Sequence, residues 1–297
     1  MSGDSIFDAH IHVWSKNREK YPLAHGFKDR DLWIPSYEAE DHITMSESLA
    51  IQYINFVQMT WYGTDHSYII DLISENPTHF VGTGIIPAVT DIDLGSTTNT
   101  MTALANKGIL AFRVRGKSSR PKYLSGDTDW LNHYGYHEMF ETGSNSNLAI
   151  SFLMDPEDIP EVNRMCTLYP KTPVIIDHLS RIGTDGCFRE KDIDSLCSLS
   201  KHQNVMVKLG PFNHLGSKSS PFLDVIPMLK RVVNAFGSSR CMWESDSPAL
   251  RPGNYHVDPK SDLRACVDLI REHSNFLPST DQENILFNTA YNFFFKR

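Results

Sequence analysis

Eight apolar runs rich in β-branched residues recur along the chain, and they constrain its fold more than any other feature. Amphipathic segments lie between them, and several of these end at Gly or Pro, as helices do. Strands that alternate with helices predict an α/β fold with parallel strands, and eight such units predict a (β/α)8 TIM barrel. The predicted strands are SIFDAHI, YINFVQM, FVGTGIIP, GILAFRV, LAISFLM, PVIIDHL, VMVKLG and RCMWESD.

The chain has 297 residues, which suits one barrel domain over residues 1–297, because such barrels commonly take about 250 residues or more. A final amphipathic segment, DQENILFNTAYNFFFKR, is predicted to close the ring as the last helix. The other predicted helical segments are DHSYIIDLISENP, STTNTMTALANKG, PEDIPEVNRMCTLYP, EKDIDSLCSLSKHQN and SPFLDVIPMLKRVVNAFG.

One connection, at about residues 14–50, is longer than barrel loops usually are. It is rich in proline, aromatic and charged residues. Loops that follow strands lie at the carboxyl ends of a barrel, where barrel enzymes have their active sites. We expect this segment to cover part of the pocket, although a mobile surface excursion would give the same composition.

The composition excludes several classes of partner. The net charge of −8 is opposite to the basic surface that nucleic-acid binding needs. No apolar run has the length of a membrane span, and no secretory signal opens the chain. Five scattered cysteines without C-x-x-C spacing suit a reducing compartment. We therefore expect a cytoplasmic protein with a small-molecule substrate, no nucleic acid and no membrane partner; a homo-oligomer is compatible with the sequence.

Polar residues stand at or just past the predicted carboxyl ends of five of these apolar strands. Residues two apart on a strand share a face, and strand ends meet at one side of a barrel. Because a buried unpaired charge costs several kcal/mol, these side chains should pair with each other or with a ligand in one pocket. They are His10 and His12, Arg113 and Arg115, His178, Lys208 and Asp246.

Each of these residues also has an ordinary structural interpretation. A single histidine at a strand end can be a hydrogen-bonded core residue, and an aspartate before SP can simply start a turn. Arg181 can cap surface carboxylates, and Lys208 can be either a substrate contact or the counter-ion of a buried acid. The aromatic residues of the pocket region can stack on a ring substrate or only pack. These are Trp14, Trp33, Tyr37 and Trp61.

The order of the polar residues resembles the amidohydrolase superfamily: H-x-H on the first strand, His on the sixth and Asp on the eighth. More narrowly, the chain is similar to the lactonase branch of that superfamily, which includes sugar-lactone hydrolases and 2-pyrone-4,6-dicarboxylate lactonase. The resemblance runs nearly end to end. The motifs that carry it are FDAHIHVW, WIPSYEAEDH, VIIDHLSRIG, CMWESDSP and ILFNTAYNFF.

This resemblance implies a hydrolase that opens a small lactone, either sugar-derived or carboxylate-bearing, with an activated water. Asp246 would be the general base. His10, His12 and His178 would polarise the carbonyl, either directly or, together with Asp246, as ligands of one Zn²⁺ or Mn²⁺. A metal is not strictly required, because arginines and histidines supply electrophilic charge in some members of the branch.

A second set of residues, four cationic and two aromatic, is predicted to bind the substrate. An arginine binds a carboxylate through two parallel hydrogen bonds, so the arginines point to an acidic lactone. The predicted substrate-binding residues are Arg113, Arg115, Arg181, Lys208, Trp33 and Tyr37.

The chain departs from the superfamily pattern at two places. Binuclear members have a carboxylated lysine or a glutamate on strand four and a histidine on strand five. Here those strands offer arginines and Met154, so a two-metal site is not expected. Glu244 stands where the branch has glycine in W-G-S-D. A second carboxylate there would alter either metal affinity or the preferred charge of the substrate.

Two other functions compete with lactone hydrolysis. A metal-dependent decarboxylase of the same superfamily uses a similar set of strands with one essential ion. A barrel that has lost catalysis and serves as a binding protein is the alternative from a different class. Every key position is still occupied, which favours an enzyme.

Overall fold

Eight parallel strands form one sheet in the order β1 to β8. A computed structural model of the chain describes residues 5–86, 96–118, 130–248 and 259–296. The predicted (β/α)8 TIM barrel is confirmed. The strands are β1 Ile6–Ile11, β2 Ile51–Val57, β3 Phe80–Gly84, β4 Ile109–Arg115, β5 Ala149–Leu153, β6 Val174–Ile176, β7 Val205–Leu209 and β8 Cys241–Trp243.

Helices alternate with the strands, and they pack their apolar faces on the outside of the barrel. None of the helices within the described ranges combines the length and the apolar character that crossing a membrane requires. The α-helices are α1 Ala39–Ser46, α2 Ser67–Glu75, α3 Thr97–Ala105, α4 Tyr134–Ser146, α5 Ile159–Leu168, α6 Glu190–Ser198, α7 Ile226–Phe236, α8 Pro259–Asp268, α9 Ser279–Glu283 and α10 Thr289–Phe295. Two π-helical turns, Leu269–His273 and Asn284–Asn288, follow α8 and join α9 to α10.

The predicted strands coincide with the observed ones, with differences at their ends. The third predicted run extends to Pro87, which lies outside the described residues. The sequence suggested that His178 ends strand β6. The strand instead ends at Ile176, and His178 lies in the turn that follows it. Helix α4 was not among the predicted helical segments, because its Gly, Ser, Thr and Asn residues are weak helix formers.

The barrel closes through the segment that follows β8. The backbone N–H of Asp246 donates to the carbonyl of His10 at 2.9 Å, and the N–H of His12 donates to the carbonyl of Ser247 at 2.8 Å. The carboxylate of Asp8 strengthens this seam, because its Oδ1 accepts from the N–H of Ser245 at 3.0 Å. The first and last strands are thereby joined at their carboxyl ends.

The amino ends of the strands are closed by an apolar cluster. Seven strands contribute buried residues to it, and the C-terminal helical segment packs against them. Phe294 on α10 lies 5.8 Å from Phe7 on β1, measured between ring centroids. The opposite, carboxyl end is therefore left for polar chemistry. The cluster comprises Phe7, Ala9, Val81, Ala111, Ala149, Ile175, Met206, Met242, Phe287, Ala290 and Phe294.

The long connection between β1 and β2 returns to the barrel and does not project away from it. Trp14 and Tyr37 pair through two backbone hydrogen bonds of 2.8 and 2.9 Å, which close the segment into a loop. Helix α1 then leads the chain to β2. Phe27 and Trp33, on the excursion between these points, line the cavity at the carboxyl ends of the strands.

Candidate active site

A cavity of about 920 Å³ opens at the carboxyl ends of the strands. Loops after β2, β6, β7 and β8 and the ends of strands β4 and β5 contribute to its wall, together with the segment between β1 and β2. Four of the described lining residues are Arg or Lys, and Asp246 is the one acidic residue among them. The cavity is thus positively charged, although the chain carries a net charge of −8. The cationic lining residues are Arg113, Arg115, Arg181 and Lys218.

Three side chains meet at the seam of the barrel. His10 Nε2 and His12 Nε2 are 3.3 Å apart. Asp246 Oδ1 lies 3.5 Å from His10 Nε2 and 3.3 Å from His12 Nε2. The backbone hydrogen bonds that close the barrel hold Asp246 here, with its own φ at 54° in the left-handed region. The predicted convergence of β1 and β8 on one point is therefore present.

The hydrogen-bond partners of the two histidines decide which ring atoms face this point. His12 Nδ1 lies 2.8 Å from the carbonyl oxygen of Val57, which can only accept, so the ring proton is on Nδ1 and Nε2 has a lone pair. His10 Nδ1 is 3.1 Å from Glu244 Oε2 and also 3.1 Å from Lys208 Nζ. His10 Nδ1 can therefore donate to Glu244 when it carries the ring proton, or accept from Lys208 when it does not.

A buried network of charges lies beneath the histidines. Lys208 Nζ contacts Asp177 Oδ1 at 3.0 Å, and both side chains are fully buried. Arg113 Nε lies 3.4 Å from Asp177 Oδ2, and Ser151 donates to Asp177 Oδ1 at 2.9 Å. Asp177 therefore neutralises two cations that would otherwise be costly to bury.

Arg113 also reaches the histidines from the cavity wall. Its Nη2 lies 3.1 Å from His178 Nε2, and its Nη1 lies 3.5 Å from His12 Nε2. A guanidinium can only donate, so the first contact requires an unprotonated Nε2 on His178. Three carboxylates, on Asp177, Glu244 and Asp246, lie around the histidines, and two cations, Lys208 and Arg113, lie among them. These five groups together carry one net negative charge when the histidines are neutral, in contrast to the cationic lining of the cavity.

The titration of the buried groups follows from this arrangement. Burial, reinforced by Lys208 and Arg113, lowers the pKa of His10 to about 4, so this ring is neutral at pH 7. Burial alone would raise the pKa of Asp246, but the adjacent histidines, His178 foremost, outweigh burial and hold that pKa well below its usual range. Asp246 is therefore ionised at neutral pH and can accept a proton.

His178 responds to opposing influences. Burial lowers its pKa, but the carboxylates of Glu244 and Asp246 outweigh burial and raise it. Glu244 is affected in turn, because the pairing with His178 and His10 overcomes burial and lowers its pKa to about 2. The contact with Arg113 Nη2 is nevertheless formed with a neutral ring, since both partners would otherwise be donors.

The donor set at the seam fits one divalent cation. His10 Nε2, His12 Nε2 and Asp246 Oδ1 lie 3.3 to 3.5 Å from one another. Tetrahedral ligands about 2.0 to 2.1 Å from Zn²⁺ are separated by roughly this distance. The net negative charge beside them favours a cation as well. His178 does not complete this set; its ligand atom groups with those of His10 and Glu244 instead.

This second group, His10, His178 and Glu244, is a poor metal site despite its three possible ligands. The Lys208 ammonium lies 3.1 Å from His10 Nδ1 and already supplies positive charge there. His178 Nδ1 is 2.7 Å from Glu244 Oε1, which is the length of a strong hydrogen bond. We therefore expect one metal site at most among the described residues.

Aromatic rings line part of the cavity. Trp33 and Trp61 both line it, with their ring centroids 5.2 Å apart and edge to face. Trp14 lies behind them, fully buried and 4.9 Å from Trp61. Trp33 is 45% exposed, so it offers a free ring face to a ligand. The cavity lining thus combines aromatic rings with cationic side chains.

The structure places the predicted substrate-binding residues in two groups. Arg113, Arg115, Arg181 and Trp33 line the cavity. Lys208 and Tyr37 do not: Lys208 is fully buried against Asp177, and the Tyr37 hydroxyl lies 3.0 Å from His42 Nδ1. A direct substrate contact is therefore not supported for these two residues, because other side chains separate them from the cavity.

Arg181 pairs with a carboxylate and also lines the cavity, so its substrate-binding role stays a prediction. Its Nη1 pairs with Asp155 Oδ1 at 3.0 Å, and its side chain also lines the cavity. Arg115 Nη2 donates to Thr60 Oγ1 at 3.1 Å, which links the end of β4 to the loop after β2. These contacts hold both guanidinium groups at the wall.

Asp177, the acid that links Lys208 to Arg113, was not among the predicted site residues. A signal was present, since an aspartate directly before His178 interrupts a run of buried apolar residues. Glu244 was expected to alter either metal affinity or the preferred charge of the substrate. Its side chain is fully buried behind His178 and does not face the cavity, so it acts on the histidines and not on a substrate charge.

The chain matches a known protein family and is similar in sequence to two lactone hydrolases. A family model described as Amidohydrolase matches residues 7–296. L-fucono-1,5-lactonase of Burkholderia ambifaria is 26% identical over 265 residues, which cover 87% of this chain and 86% of that protein. 4-sulfomuconolactone hydrolase of Rhizobium radiobacter is 23% identical over 257 residues, 86% of this chain and 78% of that protein.

Solved structures share the fold over nearly the whole chain. A putative 2-pyrone-4,6-dicarboxylic acid hydrolase of Pseudomonas putida matches with a TM-score of 0.75 and 18% identity, covering 98% of this chain and 97% of that one. A 5-carboxyvanillate decarboxylase of Sphingomonas paucimobilis matches with a TM-score of 0.65 and 13% identity, covering 98% and 99%. At these identities the likeness concerns the fold.

A substitution of Lys208 tests its part in the buried network. Lys208→Met leaves Asp177 less paired, so we expect a loss of about 3 to 5 kcal/mol in the free energy of unfolding. The double variant Lys208→Met/Asp177→Asn should lose less than the two single losses combined. Urea unfolding measures both. Lys230→Met, on an exposed position of α7, is the control and should change stability by less than about 0.5 kcal/mol. Additive losses would contradict the coupling.

Metal titration tests the donor set at the seam. We expect the purified, metal-free protein to bind one Zn²⁺ or Mn²⁺ per chain in calorimetry, and His12→Asn to abolish this binding by removing one nitrogen ligand. His133→Asn, which changes a histidine at the start of α4, should bind as the parent does. Two equivalents of bound metal, or unchanged binding by His12→Asn, would show that the ligands are others.

Proposed function

The chain belongs to the amidohydrolase family, and we propose that it is a hydrolase that opens a small lactone, specifically one that bears a carboxylate. One observation carries the proposal. The Asp246 carboxylate faces His10 and His12 at the floor of a cavity whose wall is rich in arginine. The names of both curated relatives refer to lactones, which supports the same reaction class.

Asp246 acts as the general base. It is ionised at neutral pH, partly open to the cavity, and held in place by its own backbone N–H. The water oxygen attacks the lactone carbonyl carbon while Asp246 takes one water proton. The C–O bond of the ring then breaks, and the proton passes from Asp246 to the leaving oxygen. The product is a hydroxy acid.

Arg113 stabilises the charge on the carbonyl oxygen, and His178 orients this arginine by accepting a hydrogen bond from it. The guanidinium of Arg113 lines the cavity between His12 and His178, and it has donors to spare beyond these contacts. A donor fixed in a partly buried wall stabilises developing negative charge better than water does, because it is already oriented. The buried carboxylate of Asp177 holds this arginine in position.

A single divalent cation is compatible with this mechanism. His10, His12 and Asp246 would hold it, for the reasons of charge and spacing given above. When bound, such an ion makes a nearby water more acidic and withdraws electrons from a carbonyl group. The proton transfers assigned to Asp246 are the same with or without it.

The charge of the cavity supports an anionic substrate over a neutral sugar lactone. Arg115 and Arg181 line the same cavity as His12 and His178, where they can bind a carboxylate on the substrate through charged hydrogen bonds. Trp33 and Trp61 also line it and favour a flat or apolar ring. A planar lactone with a carboxylate suits both kinds of lining residue.

The decarboxylase alternative rests on a shared fold with a decarboxylase. It needs the cation, whereas lactone opening by Asp246 does not. Assays of lactone opening and CO₂ release, before and after full chelation, separate the two. Lactone opening that survives chelation excludes the decarboxylase, and CO₂ release that chelation abolishes excludes the lactonase. A barrel that only binds ligands would show neither reaction in the parent protein.

Replacement of the proposed base gives the sharpest test of the mechanism. Asp246→Asn keeps the size of the side chain but removes the proton acceptor, so we expect kcat for lactone opening to fall about 100-fold or more with KM little changed. A panel of neutral and carboxylate-bearing lactones, followed by acid release in a weakly buffered solution, measures this. The mechanism is wrong if Asp246→Asn turns over at the parent rate.

Removal of one cavity charge tests the substrate class. Arg115→Gln should raise KM for a carboxylate-bearing lactone about 10- to 100-fold, because one charged hydrogen bond is lost. KM for a neutral sugar lactone should stay the same. Lys117→Gln removes the same charge from an exposed site two residues away and is the control. Equal effects of Arg115→Gln on both lactones would argue against a carboxylate contact.

A further inference from the structure

His178 lies in an unusual stretch of backbone. The four residues His178, Leu179, Ser180 and Arg181 have φ angles of 56°, 50°, 54° and 57°, all in the left-handed region. Side chains with a Cβ disfavour this conformation, so a run of four requires support from its surroundings. The turn matters because both of its ends, His178 and Arg181, line the cavity.

Glu244 provides support at the first residue of this turn. Its Oε1 accepts the backbone N–H of His178 at 2.9 Å and lies 2.7 Å from Nδ1 of the same residue. Its other oxygen, Oε2, lies 3.1 Å from His10 Nδ1. Glu244 is fully buried. One carboxylate thus contacts the main chain and the ring of His178 and the ring of a second histidine.

These contacts fix the tautomer of His178 as well as its direction. A carboxylate oxygen that already accepts the backbone N–H of His178 acts as an acceptor toward the ring as well, so Nδ1 must carry the ring proton. Nε2 is then an acceptor, and Arg113 Nη2 donates to it from 3.1 Å. Glu244 is the acceptor on one side of the ring, and Arg113 is the donor on the other. Only one orientation of the imidazole satisfies both partners.

The chain after β7 comes close to the backbone of Glu244. Gly210 follows β7, and a Cβ at that position would clash first with the carbonyl oxygen of Glu244 and would lie 2.8 Å from its Cγ. The N–H of Glu244 donates to the carbonyl of Leu209 at 3.2 Å. Glycine at 210 therefore permits this close approach, which fixes the backbone from which the Glu244 side chain extends.

We infer that Glu244 is a positioning residue, which sets the tautomer and direction of His178 so that Nε2 meets Arg113 at the cavity wall. The inference rests on the proposed function and adds a residue to that site. Glu244 does not touch the substrate; it acts through His178. A merely structural carboxylate would stabilise the turn but would leave the catalytic rate of the folded enzyme unchanged.

The test combines a tautomer measurement with kinetics. Histidine labelled with ¹⁵N reports by NMR which ring nitrogen carries the proton, and His178→Asn assigns the signals of His178. At pH 8 the parent protein should show the proton on Nδ1. Glu244→Gln keeps the shape but presents an amide that can donate or accept, so the signals should shift toward the Nε2–H form. We expect kcat for lactone opening to fall about 10- to 100-fold, with KM within about threefold.

Glu138→Gln is the matched control. Glu138 on α4 also accepts one main-chain N–H, from Thr98, and one side-chain donor, from Ser96, but it lies outside the cavity. This variant should keep the tautomer of His178 and the parent kcat. A Glu244→Gln variant with both properties unchanged would overturn the inference.

If Glu244→Gln does not fold, the tautomer of His178 in the parent protein still tests the inference. A proton on Nε2 of His178 in the folded parent would overturn the inference without any variant. Failure of the proposed function has a different signature. The parent would then open no lactone in the panel, while its His178 would still show the Nδ1–H tautomer.

Discussion

The site depends on the hydrogen bonds that close the barrel. Strand β1 joins the chain after β8 through the carbonyl of His10 and the N–H of His12, and these bonds fix the backbone on both sides of Asp246. The two imidazoles and the carboxylate are therefore brought together by the same contacts that complete the fold. A chain that closed its barrel one residue out of register would place a serine, either Ser245 or Ser247, opposite the histidines.

The second constraint is the balance of buried charge. Lys208 is fully buried and gains nothing from water, so its free energy depends on Asp177 and His10. Arg113 shares Asp177 with it and extends toward the cavity, where it meets His12 and His178. The same acid thus stabilises the core and orients the proposed electrophile. Asp177, Glu244 and Asp246 together exceed these two cations by one negative charge. This excess would favour a cation or a proton near the seam.

Much of the fold could be predicted from the sequence, because buried parallel strands are continuous apolar runs separated by amphipathic helices. The pairing of His10 and His12 with Asp246 followed from the order of strands around a barrel. The position of His178 did not. Strand β6 has only three residues, and the left-handed turn after it depends on Glu244, which is 66 residues away in sequence. Nor could the burial of Lys208 and Tyr37 be predicted, since it results from packing between distant elements.

The central claim is that Asp246 directs a water to the carbonyl carbon of a lactone. Hydrolysis in ¹⁸O-labelled water tests it most directly, with mass spectrometry of the product hydroxy acid after one turnover in excess enzyme. The account predicts one ¹⁸O atom, located in the new carboxylate, and none in the hydroxyl group released from the ring. Label in the hydroxyl group, or an intact lactone together with released CO₂, would contradict it.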